Sequence, residues 1–238
     1  MRQKRDRQGL NGTTLKYGLI CGILAAFAWL TPASAQLVPR VTSVRPPALS
    51  AQLHRAEIAY KSGASLLEAK VRVDRVLDEL PNDTQALKLR SKVYVSMERY
   101  TEALADARRA AAVDPADGEA QLLVSLSAQG AGNHDLALRA MDRAAALLVD
   151  DASSHVELAG IARAMGLYEK AEAFARIGVA LDPTLASAQL ELARAFVAQK
   201  KFPAATLILQ KAIEAGTVKR QMVLSDSLLQ PLHDAFRQ

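Results

Sequence analysis

Cysteine is almost missing from this 238-residue chain: its one copy, Cys21, lies in an apolar run near the N-terminus. Without that run no thiol remains, which excludes disulfides, thiolate nucleophiles and cysteine-based metal sites from the rest. Aromatic residues make up only 5% of the chain, while alanine is abundant. That balance favours closely packed helices over sheet. The motifs of catalysis are missing too: no HExxH, GxSxG, GxxxxGK[ST] or GxGxxG occurs. The four histidines, His54, His134, His155 and His233, show no paired spacing on one helix face. His134 reads as a filler at a turn and His155 as a packing residue. Carboxylate pairs such as Glu169 and Glu172 read as helix-surface charge, without the desolvation that acid–base work needs. The "GAGN" stretch, Gly130 to Asn133, reads as turn glycines and not a phosphate cradle. The sequence therefore describes a chain that is not an enzyme, with no metal and no cofactor.

Excess charge is also scarce once its location is considered. The chain carries a net charge of +5, and its first 35 residues hold five Lys/Arg and one Asp, a net of +4. About +1 is left for the remainder, which excludes the persistent basic face that nucleic-acid binding requires. The early charges, Arg2, Lys4, Arg5, Arg7 and Lys16, precede "GLICGILAAFAWL" and then small residues at Ala33 and Ala35. This is the plan of a secretory signal cleaved after Ala35. The apolar run, residues 18–30, has 13 residues, whereas a spanning helix needs about 20. The expectation is export, to the periplasm or beyond. The alternative is an uncleaved anchor through residues 18–30, the only arrangement that would bring the domain to a membrane. Residues 36–49 contain Pro39, Pro46 and Pro47 and read as an extended linker.

From Ser50 the chain divides without a gap into units of 34 residues: 50–83, 84–117, 118–151, 152–185 and 186–219. The twentieth residue is alanine throughout: Ala69, Ala103, Ala137, Ala171 and Ala205. The seventeenth is Leu66, Tyr100, His134, Tyr168 and Phe202; the eleventh is Tyr60, Tyr94, Ala128, Ala162 and Phe196. The twenty-seventh is small or short: Val76, Ala110, Ala144, Gly178 and Ala212. Proline stands near the end of three units, at Pro81, Pro115 and Pro183. Two helices of about 13 residues joined by a turn fill such a unit, and the small columns let the second helix approach the first. One hairpin cannot bury its apolar face alone, but stacked hairpins bury it jointly.

This pattern resembles the tetratricopeptide repeat (TPR) family over residues 50–219. The small residue at position eight (Ser91, Ser125, Ala159, Ala193), the alanine at twenty and the proline at thirty-two carry the resemblance. The chain departs from the family at position four, where Gln121, His155 and Gln189 replace a large apolar residue, at Glu57, and at Val149. The resemblance implies an all-α, right-handed solenoid of five helix-turn-helix units. Residues 220–238 break the period and read as a cap: Met222, Val223, Leu224, Leu228 and Leu229 cover the last hairpin, and Ser225 or Asp226 caps a final helix. The alternative is a tail that docks onto a partner.

In the family the first helix of each hairpin lines a concave groove, which implies His54, Ile58, Lys61, Lys88, Lys92, Leu122, Leu126, Arg163, Leu190 and Arg194 as groove residues here. Read as free side chains, they make the groove basic at its N-terminal end, apolar in the middle, with arginines beyond. The corresponding partner is a protein or peptide with acidic segments beside an apolar anchor, Lys88 and Lys92 steering it and Leu122 and Leu126 receiving the anchor. The carboxylate-clamp members of the family keep asparagines on these helices, and this groove has none. Together with the leader, this describes a scaffold of a cell-envelope assembly, such as secretion, pilus or polysaccharide export. Cell-wall or glycan binding and self-association are the alternatives.

Overall fold

The computed structural model describes residues 45–237 other than Ala64, and the leader, its cleavage point and most of the proline-bearing linker lie outside these residues. The unit that begins at Pro46 is all-helical among its described residues. Ten helices form five consecutive hairpins: α1 (Pro47–Lys61) with α2 (Leu66–Glu79), α3 (Thr84–Ser96) with α4 (Tyr100–Val113), α5 (Gly118–Gly130) with α6 (His134–Leu147), α7 (Ala152–Ala164) with α8 (Tyr168–Leu181), and α9 (Ala186–Ala198) with α10 (Phe202–Glu214). The starts of α3, α5, α7 and α9 are 34 residues apart, as are those of α2, α4, α6, α8 and α10. Helix α1 departs from the period. It begins at Pro47, inside the stretch expected to be extended, and Leu49 is already buried. Proline at the first helical position sacrifices no hydrogen bond and has its backbone angle preset, so the Pro-Pro pair starts this helix.

Local chemistry sets the boundaries. The last residue of the first three units, Asp83, Asp117 and Asp151, caps the helix that follows. Their carboxylates accept from the amides of Ala86 (2.9 Å), Ala120 (3.0 Å) and Ser153 (3.1 Å), which satisfies donors that a helix start leaves open. Within hairpins the first helix ends on a left-handed residue at position fifteen, with φ of 57° at Glu98, 76° at Gly132, 76° at Gly166 and 60° at Lys200. The amide of the residue after it then turns back to a carbonyl, as in Arg99 N–H to Tyr94 O (2.9 Å) and Asn133 N–H to Ala128 O (2.8 Å). This is the Schellman closure, which favours glycine at its left-handed residue.

The small columns are the contact lines between helices. All five alanines at position twenty are fully buried, and position twenty-seven is buried throughout. Gly178 shows why. A methyl group there would lie 3.3 Å from the Ala152 carbonyl and Val156 Cγ2, and 3.6 Å from Ala188 Cβ. One position on α8 thus touches the first helix of its own unit and that of the next. The resulting seam is continuous from Leu122 to Phe236, with a second cluster around Leu53, Val76 and Leu87. Fully buried leucines such as Leu87, Leu158 and Leu209 each contribute about 1.5–3 kcal/mol of transfer free energy.

Polar residues are built into the stack. His155 is 3% exposed; its Nδ1 lies 3.0 Å from the Asp151 carbonyl and its ring packs edge-on against Phe174. Gln189 donates to the Pro183 carbonyl at 2.6 Å and accepts from the Thr217 hydroxyl at 2.6 Å. Arg90 reaches both carboxylate oxygens of Asp106 (2.7 and 2.8 Å) and Asp74 (2.9 Å), tying α2, α3 and α4 together. His134, expected to fill a turn, is exposed. The two glycines of "GAGN" differ in role: Gly132 makes the turn, whereas Gly130 ends α5 against the ring of Tyr100.

The chain ends in α11 (Arg220–Leu224), a 3-10 turn (Ser227–Leu232) and α12 (His233–Phe236). Val223, Leu229, Leu232 and Phe236 are buried against the last hairpin and cap it. Met222 and Leu228, expected to help, are 38% and 45% exposed. Asp226 caps the 3-10 turn through the Leu228 amide at 2.9 Å.

Candidate partner-binding groove

The first helices α1, α3, α5, α7 and α9 carry the expected groove residues, and their neighbours decide what each can offer. On α1, His54, Ile58 and Lys61 are exposed, Ile58 to 53%. On α3 the expected steering cations are already engaged. Lys88 Nζ lies 2.8 Å from Asp117 Oδ2 and 2.6 Å from Glu119 Oε2, and Lys92 Nζ lies 2.6 Å from Glu119 Oε1. Burial pulls the Lys88 ammonium towards neutrality, but the hydrogen bonds it donates to Asp117 and Glu119 outweigh this and raise its pKa. For Glu119 burial acts upwards, and the two lysines outweigh it and lower the carboxyl.

The arginines further along are held in the same way. Glu191, itself 3% exposed, accepts from Arg163 Nε at 2.6 Å and from Arg194 Nη1 at 2.8 Å. Arg194 also reaches Asp226 in the cap at 2.7 Å. Beyond α1, a row of free cations is therefore not what the helices present. Stacking sets Lys88, Lys92, Arg163 and Arg194 each opposite a carboxylate of the following unit or the cap, and these pairs neutralise one another. The leucines change role as well. Leu122 and Leu190 are 3% and 6% exposed, and Leu126 is partly buried against the core seam between hairpins. They belong mainly to the stack, although Leu122 also shows an edge in a hollow of the groove face.

Two adjoining hollows remain on the groove face. The first, about 260 Å³, is walled by Glu57, Tyr60 and Lys61 of α1 and by Gln85, Lys88 and Lys92 of α3. The second, about 390 Å³, has Leu122, Leu123 and Leu148 as an apolar floor and Lys92, Glu119, Asp151 and Glu157 as its charged lining, with Ser153 and Ser154 alongside. Lys92 and Glu119 belong to both hollows. Glu157 has no hydrogen-bond or ion-pair partner among the described residues. Burial raises its carboxyl pKa; Lys92 acts against this, while Glu119 and Asp151 add to it. Beyond Glu157, Gly160 leaves open space, with only Glu191 Oε1 at 4.0 Å from where a methyl group would stand.

Of the carboxylates that define this face, Glu119 falls at a groove position of its own helix, whereas Asp117, Asp151, Glu157 and Glu191 are not picked out by reading one helix at a time. The signal available was the 27- to 29-residue separation that sets Lys88 and Lys92 against Asp117 and Glu119, and Arg163 against Glu191. Among the described residues no group of three His, Cys, Asp or Glu side chains gathers in a geometry that would hold a metal ion. No helix among them is long and apolar enough to cross a membrane.

No family model matches the chain, and no curated protein matches it by sequence. Solved structures do match. The thermophilic TPR protein TTC0263 of Thermus thermophilus is similar at a TM-score of 0.62 and 19% identity, covering 79% of this chain and 98% of that one. MamA 41-end from Desulfovibrio magneticus RS-1 is similar at a TM-score of 0.56 and 17% identity, over 71% of this chain and 96% of that one. A further MamA crystal structure gives 0.54 and 19% identity, over 70% and 90% of the two chains. At such identities the likeness speaks to architecture. With the helix period, the buried alanine column and the shared hairpin geometry, it identifies the chain by fold as a tetratricopeptide-repeat solenoid.

Proposed function

We propose that this protein is a non-catalytic interaction scaffold that holds a segment of a protein partner along the face formed by its first helices. The observation that carries this reading is the pair of adjoining hollows, walled by side chains from successive units, on the face formed by the first helices. Recognition by groove insertion suits such a face, since each unit adds one rung of side chains at a fixed spacing. The leader pattern of residues 2–35 adds the setting: export, and work within a cell-envelope assembly. Arg163 and Arg194, the cations on which the glycan-binding alternative would draw, are both engaged with Glu191.

Site-specific photo-crosslinking in the native envelope tests the reading. A photoreactive residue at Ser153, exposed on α7 and lining the second hollow, is expected to give a discrete protein adduct. The same residue at Leu207, exposed on α10, is expected to give none. Adducts of equal yield from both sites, or from neither, would overturn the assignment of the groove.

A further inference from the structure

The hollow between units three and four specifies the charge of its occupant, and the sign is opposite to the one the lysines of the sequence suggest. We propose that it receives a lysine or arginine side chain of the bound segment, the stem on Leu122, Leu123 and Leu148 and the cationic head at Glu157 and Asp151. This inference rests on the scaffold reading above and adds the partner's chemistry.

The charge count is the first argument. Three carboxylates, Glu119, Asp151 and Glu157, line the hollow beside one ammonium, Lys92. Lys88 and Lys92 are already balanced by Asp117 and Glu119, each contact being 2.6–2.8 Å. Asp151 accepts only neutral donors, the Ser153 amide at 3.1 Å and the Ser154 hydroxyl at 2.6 Å. Glu157 accepts from nothing among the described residues. The next cation along the groove, Arg163, is turned to the buried Glu191 at 2.6 Å. Two negative charges are thus left without a counter-ion from this chain, in a concavity whose walls keep water from screening them fully. An acidic segment placed there would meet like charge from three sides.

Shape is the second argument. The floor is made of leucine side chains, and the carboxylates stand at the margin. A long side chain with methylenes below and a charged head above matches that division, because lysine and arginine lay their stems on apolar surface and keep their heads among polar groups. A bare metal ion would leave the leucine floor uncovered, and no metal-holding group of three forms among the described residues. A charge-assisted hydrogen bond to a partly desolvated carboxylate is among the stronger polar contacts available, so Glu157 is the residue whose change should matter most.

Selection of a random dodecapeptide library on the immobilised full chain tests the proposal. The expected result is a set of binders sharing Lys or Arg at one position, next to apolar residues. Replacing that residue by norleucine should weaken a selected synthetic peptide at least tenfold, and Glu157→Lys in the protein should do the same. Glu157→Gln should give a smaller loss, and Arg139→Glu, on the exposed face of α6, should give none. Although the hollow partly desolvates its carboxyl, Glu157 as a residue is exposed, and melting curves matching the parent's are the check that its variants fold. Acidic binders that depend on Lys88 or Lys92 would overturn this proposal while leaving the groove as a peptide site. Basic binders indifferent to Glu157→Lys would overturn it too. Failure to select any binder would overturn it together with the scaffold reading on which it stands.

Discussion

The hydroxyl of Ser91 donates to the carbonyl oxygen of Ala103 at 2.9 Å, and one unit later Ser125 donates to Ala137 at the same distance. Both serines are fully buried, and both bonds join position eight of one helix to position twenty of its partner. The small residue at eight is therefore more than a spacer in these two units. It fastens the hairpin at its closest crossing, and in units four and five the alanines Ala159 and Ala193 leave this to packing alone.

Serine-to-alanine changes should separate that fastening from mere smallness. Ser91→Ala and Ser125→Ala each remove a buried hydrogen bond without leaving its acceptor bare, since the carbonyl stays in the α-helical ladder. A loss of about 0.5–1.5 kcal/mol is expected. Ser127 differs: it is fully buried and its hydroxyl has no partner. Ser127→Ala should leave stability unchanged or raise it by up to about 1 kcal/mol. Urea unfolding of the three variants checks the sign.

The left-handed turn residues predict a gain. Glu98 and Lys200 hold φ of 57° and 60° where the equivalent positions in units three and four carry glycine. A residue with a Cβ pays steric energy in that region. Glu98→Gly and Lys200→Gly are expected to add about 0.5–1 kcal/mol each, net of the glycine's greater freedom when unfolded. In a domain of this size the thermal midpoint should rise by roughly 1–4 °C. A fall on either substitution would contradict the account.

Two glycines should respond to the same substitution with opposite signs. Gly130→Ala drives a methyl group into the Tyr100 ring, and overpacking of that kind costs about 1–3 kcal/mol. Gly160→Ala meets only Glu191 Oε1 at 4.0 Å, so it should gain about 0.5–1 kcal/mol from helix propensity. Paired thermal melts decide.

Acid should loosen the link between units four and five. Glu172 accepts from Arg176 at 2.7 Å, from Lys201 at 2.9 Å and from Gln199 at 2.9 Å. Burial acts to raise its carboxyl, and the three donors outweigh it and bring the pKa from 4.5 down to about 2. A depressed folded-state value means stability that is complete above the ordinary value and is lost as pH falls through the folded one. The difference in stability between the parent and Glu172→Gln should therefore shrink progressively from about pH 4.5 to pH 2. A difference that is constant across that window would show that the carboxylate's charge contributes nothing.

Most of the architecture was legible because a stacking unit must repeat its own contacts. The alanines at twenty and the small residues at twenty-seven are where helices cross, and the 34-residue spacing of helix starts follows from them. The site was much less legible. Lys88 on its own helix reads as a free cation, and only the stacked neighbour brings Asp117 and Glu119 against it. Leu122 reads as surface for the same reason, and the stacked units leave it only 3% exposed. The end effects misled in a related way. Pro46 and Pro47 suggest an extended chain when taken alone, yet a helix start is the one helical place where proline fits. His134 occupies the aromatic column but is polar and stays in water. Which side a residue faces at a chain end or a turn depends on the next unit, and a periodic pattern does not carry that information.

Asp117 caps α5 through the Ala120 amide at 3.0 Å and at the same time grips Lys88 of α3 at 2.8 Å. One side chain thus begins a repeat and latches the repeat before it. Loss of order at the first turn of α5 cannot stay local, because the released carboxylate also leaves a lysine ammonium stranded in its predecessor. Under mechanical pull along the axis, unravelling at this joint should run backwards into α3 as a single event, and a force–extension trace would record one long step there instead of two short ones.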